Sequence, residues 1–484
     1  MVLFNRKSPG SCAKKRLNSL LAAVFATLLT GVSFGQTAKQ VLPPQRSSLE
    51  TVQPLPLATT TLANGLQIVV YEDQPVPIVT LEYANKTGSA VEPPEQSGFS
   101  HVLEHLFFMS NQATKDQASY LADVAKSGAI SSAATREEVV SAYVTVASNY
   151  LPVTFRYLRD AIRQPLFLPE EVQRAKSEVL RELDRRSIDA LAQFNTQLDN
   201  DLYYKYTSRK TPAGSSAVVE TVTPDQLRSF WEKYWVPENS LLVLSGDVTP
   251  ADAFAQAEQF FGDWKATQKL SASQVQIPEH PPMPRSSARI LEGAGANVLI
   301  GIAWQGPSTG KDIDATYAAD VFSGIVNQPG SRLQRLLVDS GVATVAHFNY
   351  FTQRNVGKIS MTVLTTPDKV RDALKAINSE ISHFADKDYF TVDEMGGSRQ
   401  LLAVQELFER EKPTEFAHEL SFWWASASVE NYRTYQGSLS RVTEAAVRRY
   451  LETYIAGKPR AVVVLVAPEA HQTLRLTSDD MVKP

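Results

Sequence analysis

The stretch from Val222 to Tyr234 (VTPDQLRSFWEKY) recurs 220 residues later as Val442 to Tyr454 (VTEAAVRRYLETY), with Val, Thr, Arg, Glu and Tyr kept in register. The same offset pairs the apolar run Leu241–Leu244 with Ala461–Val464, and an offset of 218 pairs Thr80–Gly88 with Val298–Gly306. A unit of strands and helices that recurs whole must bury its apolar face twice, so the expectation is two homologous α+β domains. Each should be an antiparallel-rich mixed sheet with helices packed on one face. The break between them falls at 270–288, where four prolines in eight residues (Pro278, Pro281, Pro282 and Pro284) can continue neither a helix nor a central strand. The domains are then 58–269 and 289–484, and 484 residues suffice for both.

The first residues obey other rules. Arg6, Lys7, Lys14, Lys15 and Arg16 precede an apolar run from Leu17 to Phe34, which reads as a secretory signal over 1–35. The competing reading is an uncleaved amino-terminal anchor. Residues 36–57, rich in Pro, Ser, Gln and Thr, read as a disordered tether. Removing those five cations moves the formal charge from −4 to −9. Neither value offers the basic excess that nucleic acid attracts. A content of 43% apolar and 21% charged residues excludes a disordered, collagen-like or multi-span membrane chain. The one cysteine, Cys12, lies inside the leader. A mature chain without thiols is restricted to Ser, carboxylate or His chemistry, or to a metal held by N and O ligands.

The segment Gly98-Phe-Ser-His101-Val-Leu-Glu104-His105-Leu-Phe-Phe108 supplies such ligands. On a helix, His101 and His105 share one face and can share one ion. Glu104 sits about 60° from His101 around the axis, placed to reach a water as general base without being a ligand. The rest of the helix is apolar, so these polar groups must satisfy one another or a metal. A catalytic zinc takes three protein ligands and keeps one position open. The third is sought on the helix starting at Pro169, expected to run to about Gln193, whose apolar stripe is Val172, Ala175, Val179 and Leu183. Glu182 borders that stripe. Glu178, one turn earlier, is placed to orient a ligand. Glu171 reads as a surface acid in the first turn. By spacing alone Glu182 is equally a solvated acid beside Arg185 or Arg186.

His-x-x-Glu-His in this setting resembles the M16 (pitrilysin/insulinase-like) zinc metallopeptidases, and the similarity spans roughly residues 58 to 470, including the repeat. The resemblance implies Zn²⁺ held by His101, His105 and Glu182, which is 77 residues after His105, with Glu104 as the base of a metalloendopeptidase acting on peptides. The leader pattern, for its part, implies a periplasmic or secreted protein without a membrane span in the mature chain. Three departures stand out. Ser132 occupies a position where the family commonly has Asn. Ala175 replaces a frequent Glu. Leu337 and Thr344 stand where active members carry an Arg–Tyr pair that holds the substrate carbonyl. The resemblance implies a homodimer or a heterodimer; the last departure points to a heterodimer with a paralogue that carries the pair, and keeps open a non-catalytic or partner-dependent subunit. Phe422-Trp423-Trp424 reads as core or as the lining of a substrate chamber. Lys205, Arg209 and Lys210 beside Tyr203, Tyr204 and Tyr206 read as a solvated loop.

Overall fold

The computed structural model describes residues 54–73, 75–266 and 277–482. The expected leader (1–35), residues 36–53 of the tether and 270–276 of the linker lie outside the described residues. From 277 the chain runs without regular structure until a strand begins at Ser287.

Eleven strands among the described residues form two sheets. The first contains β1 (Ala58–Thr61), β2 (Gln67–Glu72), β3 (Ile78–Asn85), β4 (Ile130–Thr135), β5 (Val140–Ala147) and β6 (Ser240–Gly246), ordered β1-β2-β6-β3-β5-β4. The second contains β7 (Ser287–Glu292), β8 (Val298–Gln305), β9 (Val345–Phe351), β10 (Lys358–Thr365) and β11 (Ala461–Val466), ordered β7-β11-β8-β10-β9. Six helices position the site and cover the central strands: α1 (Phe99–Leu106), α2 (Pro169–Ile188), α3 (Ala190–Leu202), α4 (Pro224–Tyr234), α5 (Pro413–Ser426) and α6 (Glu444–Tyr454).

The repeat in the sequence is a repeat in topology. β6 runs parallel to β2 and antiparallel to β3, and β11 runs parallel to β7 and antiparallel to β8. Each is fed by a repeat helix with the same start. Thr223 Oγ1 accepts from Gln226 N ahead of α4, and Thr443 Oγ1 accepts from Ala446 N ahead of α6, satisfying amides that the first helical turn leaves unpaired.

The two halves also exchange helices. In β6, Leu242 and Leu244 pack in one cluster with Leu227 and Phe230 of α4, while Leu241 and Val243 point the other way into a cluster with Phe416, Leu420 and Trp424 of α5, from the second half. In β11, Val462 and Val464 pack with Val447 and Leu451 of α6, while Ala461 and Val463 join Phe194, Leu198 and Leu202 of α3, from the first half. Both central strands are therefore covered on two faces. This is why β6 (SLLVLSG) and β11 (AVVVLV) read as continuous apolar runs rather than as alternating ones. The three α3 side chains alone contribute roughly 5–9 kcal/mol of apolar transfer energy, as an upper bound.

Two sequence expectations change here, and a third, open between core and chamber lining, resolves as core. The single helix from Pro169 to about Gln193 is two helices, because Asp189 turns extended (φ −85°, ψ 110°) and its side chain accepts from Leu191 N and Ala192 N to cap α3. Trp423 and Trp424 are buried in the second-half core, with Trp424 Nε1 donating to Gln67 Oε1 (2.8 Å). The loop before Lys210 is solvated only in part: Tyr204 and Lys205 are exposed, but Tyr203 and Lys210 are 2% and 7% exposed. Among the described residues no helix is long and apolar enough to cross a membrane.

Candidate metal centre

α1 is short and apolar on one side. Phe99, Val102, Leu103 and Leu106 are buried against the first-half sheet and its helices, which turns His101, Glu104 and His105 toward the opposite side. Gly98 precedes the helix with φ +104°, and a Cβ there would lie 2.9 Å from Val219 Cγ2 and 3.2 Å from Gly214 Cα, so only glycine fits. The carboxylate of Glu92, itself buried, accepts from Gly98 N (2.8 Å) and Ser100 N (2.7 Å) and so caps the helix start. Burial pushes the Glu92 carboxyl up, against the opposing pull of those amides.

The His101 and His105 rings lie 5.1 Å apart, centroid to centroid. Glu182, from α2, brings Oε2 to 3.5 Å from His101 Nε2. One ligand atom from each of His101, His105 and Glu182 falls within 4.8 Å of the others, the only such group of His, Asp and Glu among the described residues. The remaining ring nitrogens are engaged. His101 Nδ1–H donates to the Ala213 carbonyl (3.1 Å), and His105 Nδ1–H donates to Glu178 Oε2 (3.1 Å). A neutral imidazole has one N–H, so each ring keeps an Nε2 lone pair, and that of His101 faces Glu182. Two imidazole lone pairs and a carboxylate converging on one point repel unless a cation lies between them. Tetrahedral N₂O donor sets of this kind suit Zn²⁺, and anchoring of the distal nitrogen is how ligating histidines are normally oriented. The donor set therefore fits the ion that the sequence implies.

The electrostatics point the same way. Burial works against charge on His101, but Glu182, Glu104 and the Ala213 carbonyl together outweigh it and raise its pKa above the usual value. The same contact with His101 holds the Glu182 carboxyl below its usual range, against the effect of its partial burial.

Glu104 stands beside this cluster rather than in it. Its Oε2 accepts from Thr135 Oγ1 (2.7 Å), and Thr135 ends β4, the edge strand of the first sheet. One carboxylate oxygen is thus fixed and the other remains available. Glu178 meets His105 as expected. Glu171 does not lie on the surface: it is buried and accepts from Ser110 N (3.1 Å) and Ser110 Oγ (2.5 Å), tying α2 to the segment after α1. Ala175 is fully buried in the core and leaves no room for an acid. Leu337 is likewise fully buried in the second-half core, while Thr344 is exposed with its amide paired to Leu364 O. Sequence reasoning missed Thr135, Glu92 and the Ala213 carbonyl. A Thr on an edge strand and an acid some residues before a helix carry no local pattern, and a carbonyl carries none at all.

Residues 68–214 match the family model described as insulinase (peptidase family M16), and residues 221–402 match the one described as the peptidase M16 inactive domain. The chain is 24% identical to an uncharacterized zinc protease of Streptomyces coelicolor, over 70% of this chain and 73% of that one. It is 23% identical to the beta subunit of the mitochondrial-processing peptidase of Neurospora crassa, over 56% of this chain and 55% of that one, so it spans about half the length of some relatives. Among solved structures, a protease from Helicobacter pylori is similar with a TM-score of 0.76 at 17% identity, over 86% of this chain and 100% of that one. The periplasmic protease PqqL of Escherichia coli is similar with a TM-score of 0.72 at 17% identity, over 89% of this chain but 50% of that one.

Proposed function

We infer that this chain, which belongs to the M16 peptidase family, is an exported zinc-dependent endopeptidase that hydrolyses peptides or small unfolded polypeptides. The observation that carries this reading is the convergence of His101, His105 and Glu182, with both outer ring nitrogens already anchored. Zn²⁺ bound there would acidify a water and polarise the scissile carbonyl. Glu104, held at one oxygen by Thr135, takes the water proton on the other and returns it to the leaving amine nitrogen. The free edge of β4, which ends at Thr135, lets an extended peptide add as a strand, so main-chain hydrogen bonds place the scissile bond next to Glu104. The basic and apolar leader pattern, and the name of PqqL as a periplasmic protease, support a location in the periplasm or outside the cell.

A second reading has its own observation. With Leu337 sealed in the core and Thr344 at the second position, no Arg–Tyr pair stands in the matching stretch. The chain matches half of PqqL, which is consistent with a partner of the same kind supplying what this half lacks. The partner-dependent form is then a heterodimer in which this is the zinc-bearing chain, since a second copy would lack the same pair.

The test is metal analysis of the purified chain with peptide cleavage measured with and without a chelator. Glu104→Gln should keep zinc and lose cleavage by at least about 100-fold. His101→Ala or His105→Ala should lose both. Normal cleavage by Glu104→Gln sinks the assignment. Zinc without cleavage, restored by a paralogue carrying the pair, selects the partner-dependent form.

A further inference from the structure

The loop after α3 links the metal centre to the other half of the molecule. At one end, residues 213–215 hold the start of α1. The Ala213 carbonyl accepts from His101, Ser215 N donates to Ser97 O (3.2 Å), and Gly214 lies so close to Gly98 that neither admits a Cβ. At the other end, Lys210 is anchored in the turn between β9 and β10. Its Nζ donates to Gln353 Oε1, Asn355 O (2.7 Å) and Val356 O (2.9 Å), so all three hydrogens are used by the second half. Nζ also lies 4.5 Å from the centre of the Tyr203 ring, whose hydroxyl donates to Val356 O (3.1 Å). Glu138, from the turn before β5, accepts from Arg354 N (2.9 Å) and Asn355 N (3.0 Å) on the same turn.

This turn is over-determined. Val356 has φ +52°, a left-handed conformation that a β-branched residue rarely takes, and it persists only where contacts impose it. Only Thr211 and Pro212 separate Lys210 from Ala213, so displacement of the lysine has little slack to absorb it before reaching the carbonyl that orients His101.

We propose that Lys210 is a positioning residue for the metal centre, and that the 352–357 turn of the second half sets zinc affinity by holding the strap 210–213 against His101. The proposal rests on the zinc reading above. It assigns the second half a role in the metal site through backbone placement, without contributing a ligand. A burial-dependent ammonium with three fixed acceptors is stiff in a way that a surface loop is not, which suits it to this task.

The experiment measures the zinc dissociation constant of the full purified chain by competition with a chromogenic chelator, so it needs no catalytic activity. Three variants are compared with the parent. Lys210→Met removes the anchor, and Gln353→Ala removes one of its acceptors from the other side. His418→Gln breaks a different contact between the halves, the ion pair to Glu82 (2.8 Å), and leaves the strap alone. Lys210→Met should weaken zinc binding about 10- to 100-fold, Gln353→Ala should weaken it in the same direction, and His418→Gln should leave it unchanged. Parent-like zinc affinity in Lys210→Met overturns the proposal, as does an equal loss in all three, which would mark general loosening. Should Lys210→Met not fold, Gln353→Ala decides. A parent chain that holds no zinc refutes the metal centre itself and is distinguishable from either result.

Discussion

The exchange of helices between the halves makes a quantitative prediction at Gly301. This glycine is on β8, and the Phe194 ring of α3 lies where its Cβ would be, with Leu198 Cδ1 2.7 Å from that point. Gly301→Ala in the parent must push α3 away from the sheet or force side chains off their rotamers, an overpacking cost of about 1–3 kcal/mol. Phe194, 1% exposed, is worth about 3–5 kcal/mol when cut to Ala. With the ring gone the space is empty and Leu198 can swing into it. Gly301→Ala should then be neutral, or stabilising by about 0.5–1 kcal/mol through the entropy that glycine otherwise loses. The two substitutions are therefore coupled by roughly 2 kcal/mol, within the range seen for residues in contact. Urea unfolding of the parent, both single variants and the double variant, followed by far-UV circular dichroism and tryptophan fluorescence, gives this number. Gly301→Ala behaving alike in both backgrounds would refute the packing argument. Because α3 and α5 each finish the other half's core, both probes should also report one transition. Separate unfolding of the halves would show that the exchanged helices do not bind them.

Two further outcomes follow from single contacts. Glu178→Ala removes the acceptor that fixes His105 Nδ1–H and should weaken zinc binding about 10- to 100-fold, while Glu182→Ala, which removes a proposed ligand, should abolish it; chelator competition separates the two. Burial opposes charge on His418, but the nearby Glu82 carboxylate outweighs it and raises the pKa above the usual value. The stability this pair contributes is then fully present below the unfolded histidine value of about 6.5 and is lost as pH rises through the raised folded value. The difference in urea midpoint between the parent and His418→Gln should narrow from pH 6 toward pH 8 and beyond, and a difference that widens over that interval contradicts it.

How much of this was legible in the sequence depends on how local the signal is. The repeat was legible because each copy carries its own cap and apolar strand, Thr223 with Leu241–Leu244 and Thr443 with Ala461–Val464, and neither needs the rest of the fold to be read. The histidine pair was legible because helical spacing alone puts both rings on one face. Glu182 was not legible by spacing alone: its role depends on how α2 crosses α1, and a carboxylate beside two arginines has a plausible surface life.

The misreadings share one cause. Glu171 and Lys210 are charged residues in polar stretches, and charge in such settings is usually solvated. What buries them is remote in sequence, Ser110 for one and residues 353–356 for the other. A charge taken out of water must find several partners of fixed geometry. A lysine with three ordered acceptors marks a place where two parts of the chain are held in one relation, and here one of those parts carries the carbonyl that aims His101. Lys210 thus lies at the junction between the halves, where the sequence of either half by itself contains only one side of the contact, whereas Glu171 finds Ser110 within its own half.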